Sequence, residues 1–200
     1  MSLETSPKSN KKYQIILADP PWSYNDKMED RENFSVIGKY ETQSLDWIKA
    51  LKVPADDDCV LFLWAVSPLL PEAFDVITAW GFKYKTVAFC WIKESNGLFS
   101  NTVKNLGRWT MGGMELCLLG TKGKPQRISK NVCQLVFEQR ERHSQKPKEV
   151  HRRIVNLMGD IPRIELFARQ KTDSWDVWSN EIESDIELVT PINQPKGGER

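Results

Sequence analysis

The residues best suited to chemistry in this chain are Asp19-Pro20-Pro21-Trp22. A carboxylate beside a backbone carbonyl, held by two prolines, is a rigid pair of hydrogen-bond acceptors. Such a pair meets the need of an aromatic exocyclic amine. Its lone pair is delocalised into the ring, and its two N–H groups must be held as the nitrogen pyramidalises toward an electrophile. Asp19 supplies one acceptor and the Pro20 carbonyl the other, while Trp22 offers a ring on which a base can stack, worth about 1–3 kcal/mol. The same four residues also fit a plain strand-ending turn with a packed Trp and a solvated Asp.

The context of the tetrapeptide favours the chemical reading. The apolar string Tyr13 to Ala18 reads as a buried strand that stops at the prolines, so the motif stands at a strand's carboxyl end, where open α/β sheets place their ligands. Ser23 to Gln43 and 94 to 112 are long polar stretches with the character of binding loops. Ser44 caps a short helix with Leu45, Ile48 and Leu51 on one face, and Cys59 to Val66 is a second buried strand. Ser67 and Pro68 then open a helix carrying Leu70, Phe74, Ile77 and Trp80 on one side, with Gly81 as its stop. Strands follow at Phe82 to Lys93, Met114 to Thr121 and Asn131 to Phe137. Ser144 and Pro147 start a third helix ending at Gly159, and Pro162 to Ala168 is the final strand. Strands alternating with helices predict an α/β domain with a mainly parallel sheet, the region 114 to 137 supplying an antiparallel hairpin-like edge.

Composition bounds the function class. Of 200 residues, 40% are hydrophobic and 28% charged, which suits one folded domain. The expected layout is a flexible tail at 1–12, one domain at 13–188 and a second tail at 189–200. The net charge of +1 excludes a histone-like polycation. Charge is nonetheless segregated: residues 122 to 153 hold ten Lys/Arg against three acids, and 173 to 187 hold six acids and no base. Lys122, Lys124, Arg127 and Lys130 are accordingly the expected phosphate contacts, although a solvated basic face is the default for such a run. Two histidines and four cysteines without CxxC spacing argue against a metal site. The cysteines lie in apolar strings and read as buried free thiols of a reducing cytosol. The longest apolar run, Cys59 to Val66, is far shorter than the roughly 20 residues of a membrane helix. A soluble, intracellular, cytoplasmic protein is expected.

At the level of motifs the chain resembles the adenine N(6)-methyltransferase family with a DPPW signature, especially its short bacterial and phage members, related to the catalytic subunit of the eukaryotic mRNA adenosine methyltransferase. The resemblance runs over residues 13 to 182. It rests on ILADPPW (16 to 22), Tyr40 to Leu45, LFLW (61 to 64), WIK (91 to 93), GRWTMGGMELCLLGTKGKP (107 to 125), HSQKP (143 to 147), RIELFARQ (163 to 170) and WDVWSNE (175 to 181). It implies a Rossmann-like fold that binds S-adenosylmethionine, in the permuted order where the catalytic strand precedes the cofactor strand. It also implies an amine site at Asp19, Pro20, Pro21 and Trp22, with Asp19 bordering the cofactor. Lys146 is implied for the cofactor's carboxylate, and Phe167, Arg169, Asn180 and Glu181 for its ribose and adenine. Tyr40, Trp91, Lys93 and Glu115, with Trp22, are implied as the substrate pocket. Lys171 and Thr172 replace a His-Asn pair of the eukaryotic members, Ala168 and Ser179 stand where glycine is common, and Met114 stands where the eukaryotic enzyme has Lys. The short single-domain form resembles the members acting on DNA. An RNA adenosine methyltransferase and a catalytically silent nucleic-acid-binding subunit are the alternatives. Nucleic acid is the expected partner, no membrane is, and a homodimer or partner subunit stays open.

Overall fold

A computed structural model describes residues 11–23, 42–94, 109–139 and 146–191. Among these residues seven strands and three α-helices follow one another as β1 (Tyr13–Ala18), α1 (Leu45–Ala50), β2 (Ala55–Ala65), α2 (Leu70–Ala79), β3 (Lys83–Glu94), β4 (Met114–Lys122), β5 (Leu135–Gln139), α3 (Lys148–Met158), β6 (Arg163–Leu166) and β7 (Asp176–Trp178). The strands form one sheet in the order β5-β3-β4-β2-β1-β6-β7. Every pairing is parallel except those of β4, which runs antiparallel to both β2 and β3.

The apolar runs of β1 and β2 lie at the centre because a strand buried on both faces has no polar side to offer water. Alternate residues feed two cores. Ile16, Ala18, Leu61 and Leu63 pack with Ile48 and Leu51 of α1 and with Ala73, Val76 and Ile77 of α2. Ile15, Leu17, Val60, Phe62 and Trp64 pack with Val150, Ile154 and Met158 of α3. The result is a three-layer α/β domain of the expected Rossmann-like class.

Several local expectations need correction. Met114–Lys122 is an interior strand, not half of an edge hairpin. Cys117, Leu118 and Gly120 are buried, so β4 demands neighbours on both sides. The turn at Lys122-Gly123 reverses the chain, but residues after it cross toward α3, where Ile128 N–H donates to Leu157 O at 2.8 Å. The edge strand then starts at Leu135, later than Asn131, and lies parallel to β3. Ser67 is not a helix cap: Ser67–Leu69 is a single 3-10 turn, and α2 starts at Leu70 without a side-chain cap. Pro68 and Pro71 carry no N–H, which removes donors that a cap would satisfy. The buried face of α2 is Ala73, Val76, Ile77 and Trp80, while Phe74 is exposed. Ser44 does cap α1, accepting from Trp47 N–H at 3.2 Å. α3 starts at Lys148 behind Pro147, and Ser144 lies outside the described residues. The last strand is β7 rather than the segment 162 to 168; its three residues bury only Val177 and leave no periodicity to read. The expected tails lie mostly outside the described residues. Among those residues, no helix is long and apolar enough to cross a membrane.

β1 leads to β2 on one side and has β6 on its other side, so the order along the sheet reverses at β1 and β6. The crevice beyond the carboxyl ends of these two strands is where such a sheet receives a ligand.

Candidate active site

Asp19, Pro20 and Pro21 occupy that crevice directly after β1. Asp19 N–H reaches Leu166 O at 3.4 Å, which joins the motif to the end of β6. The Pro20 carbonyl accepts Trp22 N–H at 2.8 Å and the Pro21 carbonyl accepts Gln43 N–H at 3.0 Å, so both carbonyl positions are pinned from below. A carbonyl oxygen has two lone pairs, and that of Pro20 retains one for a ligand. Trp22 does not form an open stacking platform. It is 8% exposed within the first core, and its indole N–H donates to Trp64 O at 3.2 Å. The packed-Trp half of the plain turn reading holds for it, because a ring this apolar is better buried under the turn than left at the mouth.

Above the motif lies a chain of four charges. Lys146 Nζ stands 2.7 Å from Asp19 Oδ2 and 3.2 Å from Glu115 Oε2, and Glu115 Oε1 also binds Lys93 Nζ. The four side chains are between 10% and 18% exposed. Four separate segments bring them together: the end of β1, β3, the antiparallel β4, and the residue two before α3. Burial pushes the Asp19 carboxyl up, and the Lys146 ammonium pulls it only part of the way back. Burial also opposes ionisation of Glu115, but two ammonium neighbours, Lys146 and Lys93, outweigh it and hold this carboxyl below the usual range. Burial alone would lower Lys146; its two carboxylates overcome that and raise it. Two acids of opposite tendency therefore share one cation, a pattern that concentrates at functional sites.

Aromatic rings floor this cluster. Lys146 Nζ lies 5.5 Å from the Trp64 ring centre and Lys93 Nζ 5.0 Å from that of Trp91. Trp91 is 2% exposed and donates its indole N–H to Glu138 O at 2.9 Å, so it supports Lys93 from the core instead of lining a pocket. Trp64 was not singled out by residue type, although LFLW was among the motifs. Its Nε1 is buried and has no hydrogen-bond partner among the described residues. The direct Lys146–Glu115 pairing was also not foreseen.

The other wall of the crevice is built by β6 and β7. Phe167 takes a φ of 63° at the end of β6, and its N–H donates to Trp178 O at 2.7 Å. Its ring is packed at 9% exposure beside Trp178 and Trp47, at centroid distances of 5.3 Å and 6.5 Å. Arg169 is close enough for its charge to act on the Asp19 carboxyl. Asn180 and Glu181 follow β7 and are exposed, with Glu181 N–H fixed by Ser179 Oγ at 2.9 Å. Lys171 is spent on Asp185 at 2.7 Å.

The donor set fits S-adenosylmethionine. An ammonium has three N–H donors; Asp19 and Glu115 take two from Lys146, which leaves one for a carboxylate. Trp64 Nε1, without a partner among the described residues, is a further donor beside Lys146. Asn180 and Glu181 add acceptors suited to ribose hydroxyls. Among the described residues no group of three His, Cys, Asp or Glu side chains is placed to hold a metal ion. Tyr40, His143 and most of the two long polar stretches lie outside the described residues.

The basic stretch stands elsewhere. Because β4 is antiparallel, its start at Met114 and Glu115 borders the site while its end at Lys122 pairs with Cys59, near the beginning of β2's buried run. Eight residue steps of strand separate the two ends, about 26 Å at ~3.3 Å per step. Lys122 and Lys124 are therefore at the opposite pole, where Lys124 N–H binds Asp58 Oδ1 at 2.6 Å. These two lysines do not flank the crevice.

Comparison with known proteins gives the following. The sequence profile of the MT-A70 family matches residues 13–181. The Type II methyltransferase M.MunI of a Mycoplasma species is 38% identical over 200 aligned residues, which cover 90% of this chain and 82% of that protein. The N(6)-adenosine-methyltransferase MT-A70-like protein of Drosophila melanogaster is 29% identical over 90% of this chain. The human N(6)-adenosine-methyltransferase catalytic subunit METTL3 is 27% identical over the same share. The chain spans 28% of the length of the Drosophila protein and 30% of the human one.

Proposed function

The chain belongs to the MT-A70 methyltransferase family, and from that premise we propose that it methylates the exocyclic N(6) amine of adenine in DNA, with S-adenosylmethionine as donor. The observation that carries this reading is the Asp19–Lys146–Glu115 cluster at the mouth of the β1/β6 crevice. S-adenosylmethionine, when bound, supplies a methyl group already activated on a sulfonium. The chain's own residues then have mainly to position.

Asp19 and the Pro20 carbonyl accept the two N–H groups of the amine, and the Asp19 carboxylate stabilises the positive charge that develops on its nitrogen. Lys146 offsets part of the effect of burial on the Asp19 carboxyl, and its remaining N–H would hold the donor's carboxylate. Glu115, held ionised by Lys93 and Lys146, fixes Lys146 in place. Asn180 and Glu181 would accept from the ribose hydroxyls, and Phe167 at the end of β6 would border the same part of the donor. DNA is favoured by the higher identity to the Type II methyltransferase, 38% against 29% and 27% for the eukaryotic proteins, in line with the resemblance to bacterial members acting on DNA. The adenosine named in the eukaryotic relatives favours RNA as the second reading.

The test is incubation of the full chain with methyl-labelled S-adenosylmethionine and duplex DNA, single-stranded DNA or RNA of mixed sequence, followed by mass spectrometry of the nucleosides. N(6)-methyldeoxyadenosine is expected, and it should vanish in Asp19→Asn while calorimetric cofactor binding persists. N(6)-methyladenosine alone would transfer the activity to RNA. Cofactor binding absent from the unsubstituted chain would point to a silent subunit.

A further inference from the structure

The run of acids at 173 to 187 is not explained by the ion cluster of the site. It contains the loop from Ser179 to Ser184, on which Asn180 and Glu181 are exposed. A short polar loop at the edge of a sheet samples many conformations unless something holds it, because ordering each backbone residue costs free energy. Here two side chains at its far end tie it down. Ser184 Oγ accepts Ser179 N–H at 2.9 Å and donates to Ser179 O at 3.0 Å, so one hydroxyl holds both backbone groups of the loop's first residue. Ser179 Oγ in turn accepts Glu181 N–H at 2.9 Å. The backbone is thus fixed immediately before Asn180 and immediately after it.

Asp185 fastens the base of the loop to the sheet. β7 is an edge strand, and Trp178 O faces inward to the N–H groups of Phe167 and Ala168. Alternation along the strand turns Val177 N–H and C=O to the open side. Asp185 takes both: its Oδ2 accepts Val177 N–H at 2.9 Å, and its own N–H donates to Val177 O at 2.9 Å. The other carboxylate oxygen, Oδ1, accepts from Lys171 Nζ at 2.7 Å. Lys171 lies in the segment that follows Phe167 and Arg169, so one side chain ties the loop after β7 to the loop after β6. An exposed ion pair alone contributes little. The two bonds to buried Val177, and Ile186 at 3% exposure in the first core directly behind, fix where Asp185 stands. Holding two exposed polar residues in place adds nothing to the core. It orders a binding surface in advance, which spares the entropy of ordering it on a ligand.

We infer that Ser184 and Asp185 are positioning residues for the donor's ribose, holding Asn180 and Glu181 ready for its hydroxyls. This rests on the reading of Asn180 and Glu181 as ribose acceptors. Calorimetry of the full chain with S-adenosylhomocysteine and with its 2′,3′-dideoxy form tests it, with circular dichroism to check that each variant is folded. Ser184→Ala and Asp185→Ala should each weaken binding of S-adenosylhomocysteine by about tenfold. Toward the dideoxy form the loss should shrink to under about twofold, because a ligand without the hydroxyls gains nothing from the order of the loop. Ser184→Thr keeps the hydroxyl and Asp185→Asn keeps an acceptor for Val177 N–H, so both should bind S-adenosylhomocysteine within about threefold of the unsubstituted chain. In turnover, Ser184→Ala and Asp185→Ala should raise the donor's KM far more than they lower kcat. Equal losses toward both ligands would mark a merely structural role and overturn the inference. So would Ser184→Ala and Asp185→Ala binding like the unsubstituted chain while Asn180→Ala loses discrimination between the ligands. If neither the unsubstituted chain nor Asn180→Ala discriminates, the ribose reading itself falls, and the inference with it.

Discussion

Lys146→Met removes one cation from between two buried carboxylates and leaves the side-chain volume nearly unchanged, so packing contributes under about 1.5 kcal/mol. At an effective dielectric near 20, a pair about 3 Å apart gains about 5 kcal/mol. The contacts at 2.7 Å and 3.2 Å therefore gain about 10 kcal/mol gross. Desolvation of the three charges takes back most of this, and removing one partner of a buried pair costs about 3–5 kcal/mol net. For a domain of this size that is a loss of roughly 6–20 °C in Tm. The loss should depend on pH. The folded pKa of Asp19 lies above its ordinary value, so its ionisation opposes folding, and stability falls as pH rises through that folded pKa. Without Lys146 the Asp19 carboxyl moves further up and Glu115 loses one of its two cations. The deficit relative to the unsubstituted protein should then grow as pH rises above the ordinary carboxylate range, by up to about 1.4 kcal/mol per pH unit for Asp19 alone. Urea unfolding at an acidic and a neutral pH, with Lys146→Arg as the charge-retaining control, measures it. An equal deficit at the two pH values, or a loss under about 1 kcal/mol, would refute a buried ion cluster at this position.

Neutralising Lys122 and Lys124 together should leave the salt slope of nucleic-acid binding unchanged, since both sit at the pole away from the crevice; a flatter slope in a salt titration would return them to the phosphate path. Gly123→Ala should cost upwards of about 2 kcal/mol, because φ is +64° and a Cβ would stand 2.2 Å from Asp58 Oδ1 and 2.3 Å from Asp57 O. Gly81→Ala should cost only about 1–2 kcal/mol, as φ is +81° but nothing lies within 4 Å; thermal unfolding ranks the two. With a thiol reagent at neutral pH, exposed Cys133 should react first. Cys59, with burial pushing its thiol up to about 12, and buried Cys117 should react only on unfolding.

The local apolar patterns were sufficient to place most of the architecture. Tyr13–Ala18 coincides with its strand, Ser44 caps its helix, and Asp19-Pro20-Pro21 ends a central strand as two prolines require. These features depend on a few neighbouring residues, so a sequence displays them directly. The motif resemblance likewise marked Asp19, Lys93, Glu115 and Lys146 one by one. Their assembly into a single ion cluster was decided by topology: an antiparallel β4 inserted beside β2 brings Glu115 to the carboxyl ends of strands that run the other way. The same inversion carries Lys122 to the far pole, which no count of charges along the chain could reveal. Burial settled the aromatic residues, since Trp22, Trp64 and Trp91 are alike in type and differ in role only by what each indole N–H meets. Residue type and spacing determine which groups are available; strand order and direction determine which of them meet, because contacts between distant segments are set by the packing of the whole sheet.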